Sequence, residues 1–354
     1  MSMPSDRRIG PDRRIGPFTT LGLGGPASEI VVACSEEEIL SHLRDARRDG
    51  RRLMPLGGGS NVVVTDSAVD ATVLLVRSRG MRFRPVGGSG MVQVEVAAGE
   101  ALEDVVEASV DAGLAGIECL AGIPGSMGAT PMQNVGAYGQ EVSDVVSGVK
   151  VYDSETDAVY WMAPAECRFG HRSSVFRGSD RWVVLAVTLN LKRSRLSKPL
   201  RYAQLAGHLG VALGDTLPLA TVATGVVALR RSKGMVLDPA DPDTRSVGSF
   251  FTNPVLDAGR RDRLARVAPG VPIFEIGPGR SKASAAWLIE QAGFHKGYGP
   301  GPVRISTKHT LALTHPGGGS TEMLVSLARE IRDGVLRAYD VTLEPEPVLV
   351  GTEL

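Results

Sequence analysis

The 354-residue chain predicts a mixed helix-and-strand fold in two or three lobes, the first α/β and the second richer in sheet, and three observations carry that prediction. Its length exceeds what a single hydrophobic core usually spans. Strand-like and helix-like patterns alternate up to residue 113, then give way to a run of strands that ends near residue 193. A proline- and aspartate-rich stretch, 236–248, has the composition of a connector, and helical periodicity resumes after it.

The elements follow in order. Residues 6–17 repeat DRRIGP in tandem, too short for a repeat architecture and too polar to bury, so 1–17 are expected to be a disordered tail. EIVVAC reads as a strand. Ser35 and Glu38 then form a capping-box pattern before a helix with Ile39, Leu40, Leu43 and Ala46 inward and Gly50 at its end. A strand at 53–56 and another at 71–76 complete a small α/β lobe. Residues 91–97 alternate as a strand, Gly99 turns the chain, and 101–112 read as a helix closed by Gly113. VSGVKVYDS, AVYWMA and RWVVLAVTLNLKR form a second, sheet-rich lobe. TVATGVVALRRSKG is helical and gathers Arg230, Arg231 and Lys233. Helices are expected at 281–292 and 321–339, the latter with Leu324, Leu327, Ile331 and Val335 on one face, before a closing strand in LEPEPVLVG.

Composition narrows the function classes. The 39 basic and 39 acidic residues cancel, which gives no electrostatic case for nucleic acid or an anionic membrane surface. Three cysteines, Cys34, Cys119 and Cys167, match neither a metal site nor a disulfide framework, which fits a reducing cytoplasm. No apolar run approaches the roughly 20 residues that span a bilayer, so a soluble protein with no metal is expected.

Two loops stand out. Residues 122–142, GIPGSMGATPMQNVGAYGQEV, are too rich in glycine and proline for a long helix or strand and should form an ordered loop, with Gln133, Asn134 and Tyr138 as polar tips. Residues 53–66, LMPLGGGSNVVVTD, run from an apolar strand through Gly57, Gly58, Gly59, Ser60 and Asn61 into another. Successive N–H groups in such a turn make an anion-binding nest. It is not a P-loop, since no Gly-Lys-Ser/Thr follows, nor a dinucleotide fingerprint, since a β-branched run replaces the helix. Two separated glycine loops favour an extended cofactor lying between the lobes.

Three further residues could carry chemistry. Arg172, in FGHRSSVFR, offers a fixed fork of donors for a carboxylate or an enolate, or is a solvated turn arginine. Ser249, in GSFFTNP, is a poor acid that could protonate only something as basic as a carbanion or enolate; otherwise it caps a turn. Glu346 lies between prolines, where it could position a guanidinium or donate a hydrogen bond, with Glu344 as the neighbour to exclude.

PLGGGSNVVVTD and GIPGSMGATPMQNVGAYGQEV, with TTLGLGGPA upstream and SVGSFFTNPV downstream, together resemble the UDP-N-acetylenolpyruvoylglucosamine reductase family, with motifs in order from Thr19 to Gly351. The resemblance implies an FAD-binding domain of the vanillyl-alcohol-oxidase type over 18–237, in lobes 18–85 and 86–237. A substrate-binding α+β domain follows over 238–338, and 339–354 return to the active site. It implies NADPH and FAD as cofactors and reduction of UDP-N-acetylglucosamine enolpyruvate to UDP-N-acetylmuramate in peptidoglycan precursor synthesis. Arg172, Glu346 and Ser249 become catalytic, the first two stabilising enolate-like charge and Ser249 donating the proton.

FAD contacts implied on the first loop are Leu56, Gly57, Gly58, Gly59, Ser60 and Asn61. On the second they are Gly122, Ile123, Pro124, Gly125, Ser126, Gly128 and Ala129, then Gln133, Asn134, Gly136, Ala137 and Tyr138. For substrate, Arg230 and Lys233 suit the pyrophosphate, Asn253 and His309 are polar contacts, and Tyr202 matches the tyrosine that closes over the nucleotide in one subclass. His171 stands where the family commonly has tyrosine. A cytoplasmic monomer is expected. A different FAD oxidoreductase would share both loops without need of Arg172, Ser249 and Glu346, whereas a nucleotide-sugar sensor would need no flavin.

Overall fold

A computed structural model describes Ile9 and residues 12–354. Their contacts divide the chain into two compact units. One comprises the described residues before Arg14 with Ala27–Gly59 and Val69–Ser232; the other comprises Arg14–Pro26, Ser60–Ala68 and Lys233–Leu354. The expected segments 18–85, 86–237 and 238–338 group the chain differently, because 14–26 and 60–68 pack with the C-terminal part.

In the first unit, strands Ala27–Ala33, Val69–Val76 and Leu53–Leu56 form a parallel sheet with Val69–Val76 in the middle. Helix Glu36–Arg48 starts where the capping pattern placed it. Ser35 accepts from the Glu38 N–H, while the Glu38 carboxylate takes the N–H of Cys34 at 2.7 Å. Its Ile39 and Leu43 meet Val31, Leu74 and Val76 in a small core. Beyond it, five strands lie in the order Ala158–Met162, Val146–Asp153, Trp182–Arg193, Met91–Ala97 and Met81–Val86, and Leu114–Ala115 joins Trp182–Arg193. Val92, Val94 and Val96 alternate inward against Val187, Leu189, helix Leu102–Asp111 and helix Leu219–Ser232. Strand Met81–Val86 was not expected. All its residues after Met81 are exposed, so it is held by ladder pairing to Met91–Ala97 rather than by burial.

In the second unit, strands Ser246–Ser249, Ala312–Thr314 and Arg304–Ile305 form one antiparallel sheet, and Val255–Asp257, Arg280–Ala283 and Ile273–Gly277 another. The expected helix at 281–292 begins later, at Ala285–Gln291. Ser281 and Ala283 are buried on alternate positions between two strands, and Ser284 then caps the helix by accepting from the Trp287 N–H. Helix Thr321–Tyr339 matches expectation, with Leu324, Leu327, Ile331 and Val335 buried. Ser320 caps it, and the Asp66 carboxylate also accepts the Thr321 and Glu322 N–H groups. The closing strand is only Val348–Val350, parallel to Val62–Val64.

Two expectations are corrected by burial. Ile15 is fully buried, its N–H bonds the Gly25 carbonyl at 2.9 Å, and Gly16–Phe18 is a 3-10 turn, so order begins before Phe18. Of the expected tail, residues 1–8, 10 and 11 lie outside the described residues. The 236–248 stretch is not a loose connector either. Asp243 and Thr244 are buried, Asp243 accepts from the Thr307 hydroxyl, and Thr244 donates to the Asp238 carbonyl at 2.9 Å. Among the described residues no helix is long and apolar enough to cross a membrane, and no group of His, Cys, Asp and Glu could hold a metal ion.

Candidate active site

The two glycine loops meet within the first unit. A Cβ on Gly58 would lie 2.6 Å from Gly125 Cα, and one on Gly57 would lie 2.1 Å from Ser126 Oγ. Only glycine permits backbone to approach backbone this closely. The 122–138 loop is pinned from below: the Met127 N–H bonds the Glu100 carbonyl at 2.7 Å, Gly128 bonds Ala98 at 2.8 Å, and Leu102 bonds Gly125 at 3.0 Å. A short 3-10 turn at Met127–Ala129 and strand Gly136–Ala137, paired with Gln140–Glu141, are its regular structure. Gly122, Ile123, Pro124, Ala129 and Gln133 all lie along it. The result is an ordered loop of buried and half-buried residues, with Ala129 exposed, packed closely on the 57–58 turn.

Asn134, expected as a cofactor contact, makes three hydrogen bonds within the protein. It is buried, and its amide donates to Glu141 Oε2 at 2.8 Å and the Gly170 carbonyl at 3.1 Å while accepting from the Ser143 N–H at 3.0 Å. With both N–H groups used internally, it fastens the loop to the 170–173 turn. That turn carries Arg172 in the left-handed region (φ 51°), where a non-glycine residue costs energy. Its guanidinium donates to the Gly136 carbonyl at 2.9 Å, so Arg172 reaches the loop's tip. Exposed His171 puts Nδ1 3.8 Å from Glu141 Oε1, and this proximity, with the Asn134 hydrogen bond and nearby Arg172, holds the Glu141 carboxyl below its ordinary range.

Arg230, expected on the substrate pyrophosphate, uses Nε to hold the Gly122 carbonyl at 3.1 Å. Burial pushes its pKa down to about 10, with nearby Arg172 adding to the fall and Tyr138 opposing it. Tyr138 (φ 49°) packs edge-on against Tyr202 with ring centroids 5.3 Å apart, and burial pushes its phenol up. A 180 Å³ cleft beside Tyr138 is lined also by Lys198 and Arg201, basic residues that composition did not single out.

The second unit gathers a different set. Ser249 pairs with Ala312, and the Phe250 N–H bonds the Leu311 carbonyl at 2.7 Å. The Phe250 carbonyl in turn accepts the Glu346 N–H at 2.8 Å, and Phe251 bridges Pro345. Phe250 and Phe251 are buried edge-on to each other, which anchors the residues beside Ser249. Gly248 has φ 73°, a conformation that favours glycine. Half-buried Ser249 takes no side-chain hydrogen-bond partner among the described residues, and Glu346 is half-buried where Glu344 is exposed. Asn61 holds the same segment, donating to the Glu346 carbonyl at 3.4 Å and accepting the Val348 N–H at 3.0 Å.

His309 Nδ1 accepts the Leu311 N–H at 3.0 Å, which leaves the proton on Nε2 and sets the imidazole in the turn beside Ser249. Asn253, expected on the substrate, has Oδ1 accepting the Ala285 N–H at 3.0 Å and so starts helix Ala285–Gln291. Lys233 opens this unit one residue after helix Leu219–Ser232, and Ser60 opens its 60–68 segment. Asn61, Ser249, His309 and Glu346 therefore converge in one unit. The 57–59 turn, the 122–138 loop, Arg172, Tyr202 and Arg230 belong to the other.

Comparison with known proteins bears on both units. A family model described as an FAD binding domain matches residues 27–160, and one described as UDP-N-acetylenolpyruvoylglucosamine reductase, C-terminal domain, matches 239–350. The UDP-N-acetylenolpyruvoylglucosamine reductase of Thermobifida fusca is 54% identical over 344 residues, 95% of this chain and 96% of that one. The Streptomyces coelicolor reductase is 50% identical, over 97% of this chain and 90% of its own. The solved structure of the Thermus caldophilus reductase shares the fold, with a TM-score of 0.65 over 98% of both chains at 24% identity. Identity at this level across nearly the whole length, with a family model on each half, means that the chain belongs to the UDP-N-acetylenolpyruvoylglucosamine reductase family.

Proposed function

We propose that this chain reduces UDP-N-acetylglucosamine enolpyruvate to UDP-N-acetylmuramate with NADPH and FAD, a step of peptidoglycan precursor synthesis. The observation that carries the reading is the 54% identity to a reductase of that name over 95% of the chain. The loop packing is consistent with it: at Gly57 and Gly58 a Cβ would collide with the facing loop, so glycine lets the two loops assigned to FAD lie backbone against backbone. FAD would be held by 57–61 and by the 122–138 loop, Asn134 included. When bound, FAD supplies the two-electron transfer from NADPH to the enol ether.

The chain's own residues then manage charge and protons. Arg172 stabilises negative charge on the enolpyruvyl group, because its planar fork matches a carboxylate and keeps its charge at neutral pH. Glu346 is assigned to stabilising the same enolate-like charge, and its backbone N–H on Phe250 sets it beside the Ser249 strand end. The Ser249 hydroxyl donates a proton to the carbon next to the carboxylate, feasible only because that carbon is strongly basic. Lys233 and Arg230 serve the pyrophosphate, Asn253 and His309 polar groups of the sugar nucleotide, and Tyr202 covers it. We place the protein in the cytoplasm as a soluble monomer.

An anaerobic two-step absorbance experiment tests the function. NADPH should bleach the flavin band, and UDP-N-acetylglucosamine enolpyruvate alone should restore it. Bleaching without recovery removes the substrate from the reading, and a colourless folded protein that binds UDP-sugar removes the enzyme. Ser249→Ala should bleach at the wild-type rate and recover about a thousandfold more slowly, the scale of general-acid loss. If both halves stay fast, the serine is not the proton donor.

A further inference from the structure

The turn after strand Val69–Val76 carries a guanidinium that the proposed reaction leaves without a role. Val69–Val76 is the middle strand of a parallel sheet, and ligands of such sheets bind outside the carboxyl ends of the strands. Arg77 leaves that end beside the end of Leu53–Leu56, where the first glycine turn begins. Its Nη1 donates to the Val76 carbonyl at 2.9 Å and the Gly57 carbonyl at 3.0 Å, and reaches that of Leu56 at 3.4 Å. Burial and nearby Arg79 lower its pKa, while the guanidinium stays cationic at neutral pH.

The consequence follows from peptide geometry. In a trans peptide the C=O and the next N–H point in opposite directions. Turning the Leu56 and Gly57 oxygens onto Arg77 therefore aims the Gly57 and Gly58 N–H groups the other way. Two successive donors on one side are the start of an anion-binding nest, here with a cation behind it. The base of Arg77 is fixed as well. The Gly99 N–H bonds Ser78 Oγ at 3.2 Å, and a Cβ on Gly99 would lie 2.4 Å from the Ser78 nitrogen.

We infer that Arg77 is a positioning residue for FAD: it holds the 57–59 turn with its N–H donors presented as a binding turn for the cofactor's pyrophosphate. The inference rests on the proposed flavoenzyme reading. The test compares the full-length wild type with Arg77→Ala and Arg77→Lys. FAD release on dilution of the flavin-loaded protein, competition by ADP, and melting temperature with and without added FAD are measured.

Arg77→Ala should weaken FAD about ten- to a hundredfold and ADP by a similar factor, the scale of losing charge-assisted hydrogen bonds, and should shrink the melting shift that FAD induces. Arg77→Lys keeps the charge but reaches fewer carbonyls, so a weakening of about three- to tenfold is expected. A wild type that holds no flavin refutes the function reading. A flavin-holding wild type whose Arg77→Ala variant keeps both affinities within about twofold refutes the role of Arg77, as does a melting temperature lowered equally with and without FAD. Should the alanine variant not fold, the lysine variant decides: wild-type affinity overturns the inference.

Discussion

Gly58→Ala puts the glycine cradle to a direct test. Gly58 does not have a positive φ, so alanine meets no backbone penalty there, and the effect must come from space. The new Cβ would sit 2.6 Å from Gly125 Cα, 3.1 Å from its carbonyl carbon and 3.3 Å from its nitrogen. Carbon atoms in contact lie about 3.5–4.0 Å apart, so the two loops must part by about 1 Å. All three obstacles are backbone, and no rotamer change relieves them. Overpacking of this kind costs about 1–3 kcal/mol. Because the parted loops are those assigned to FAD, its dissociation constant should rise about ten- to a hundredfold.

Two companions sharpen the result. Gly57→Ala meets Ser126 Oγ at 2.1 Å, the end of a side chain that can rotate, and should cost less. Gly87→Ala has nothing within 4 Å and no positive φ, so it should leave flavin binding unchanged. Flavin retention through gel filtration and thermal melts report all three. A Gly58→Ala protein that binds FAD as tightly as Gly87→Ala would sink the reasoning.

Two stability predictions follow from the rest of the fold. Asp153, almost fully buried, is held down to about 2 chiefly by its hydrogen bonds to Arg181, against an ordinary 3.8. A carboxyl with a depressed folded pKa stabilises fully above its unfolded pKa and loses that contribution as pH falls toward the folded one. Between pH 3.8 and about 2 the wild type should therefore shed about 2 kcal/mol that Asp153→Asn lacks, visible as a smaller acid-induced drop in the variant's melting temperature. Ile15→Ala should cost about 2–4 kcal/mol in urea unfolding, since Ile15 is fully buried; a loss below about 0.5 kcal/mol would return it to a loose tail.

Much of the local structure was legible. Helix Thr321–Tyr339 was readable because its apolar stripe runs unbroken from the turn after Ser320, and helix Glu36–Arg48 because Ser35 and Glu38 mark its start. The glycine loops were legible by exclusion, since their composition forbids longer elements. The start of helix Ala285–Gln291 was not, because 281–284 carry side chains compatible with either state and cross-strand partners decide between them. The internal partners of Asn134 were not legible, because an amide in a glycine loop has no visible partner until Glu141 and Gly170 are brought to it.

The order of motifs along the chain, its neutral balance and the family it belongs to could all be read from residue identities, which are local properties. Tertiary structure alone assigned 14–26 and 60–68 to the C-terminal unit, through contacts such as His315 Nε2 donating to the Leu21 carbonyl at 2.6 Å and the Thr321 hydroxyl donating to the Val64 carbonyl at 2.6 Å. It also joined Glu346 to Phe250 and turned Arg77 onto the Gly57 carbonyl. In each case the partner is a backbone group, which every residue possesses. No residue type announces it, and only the path of the folded chain selects which carbonyl a distant donor meets.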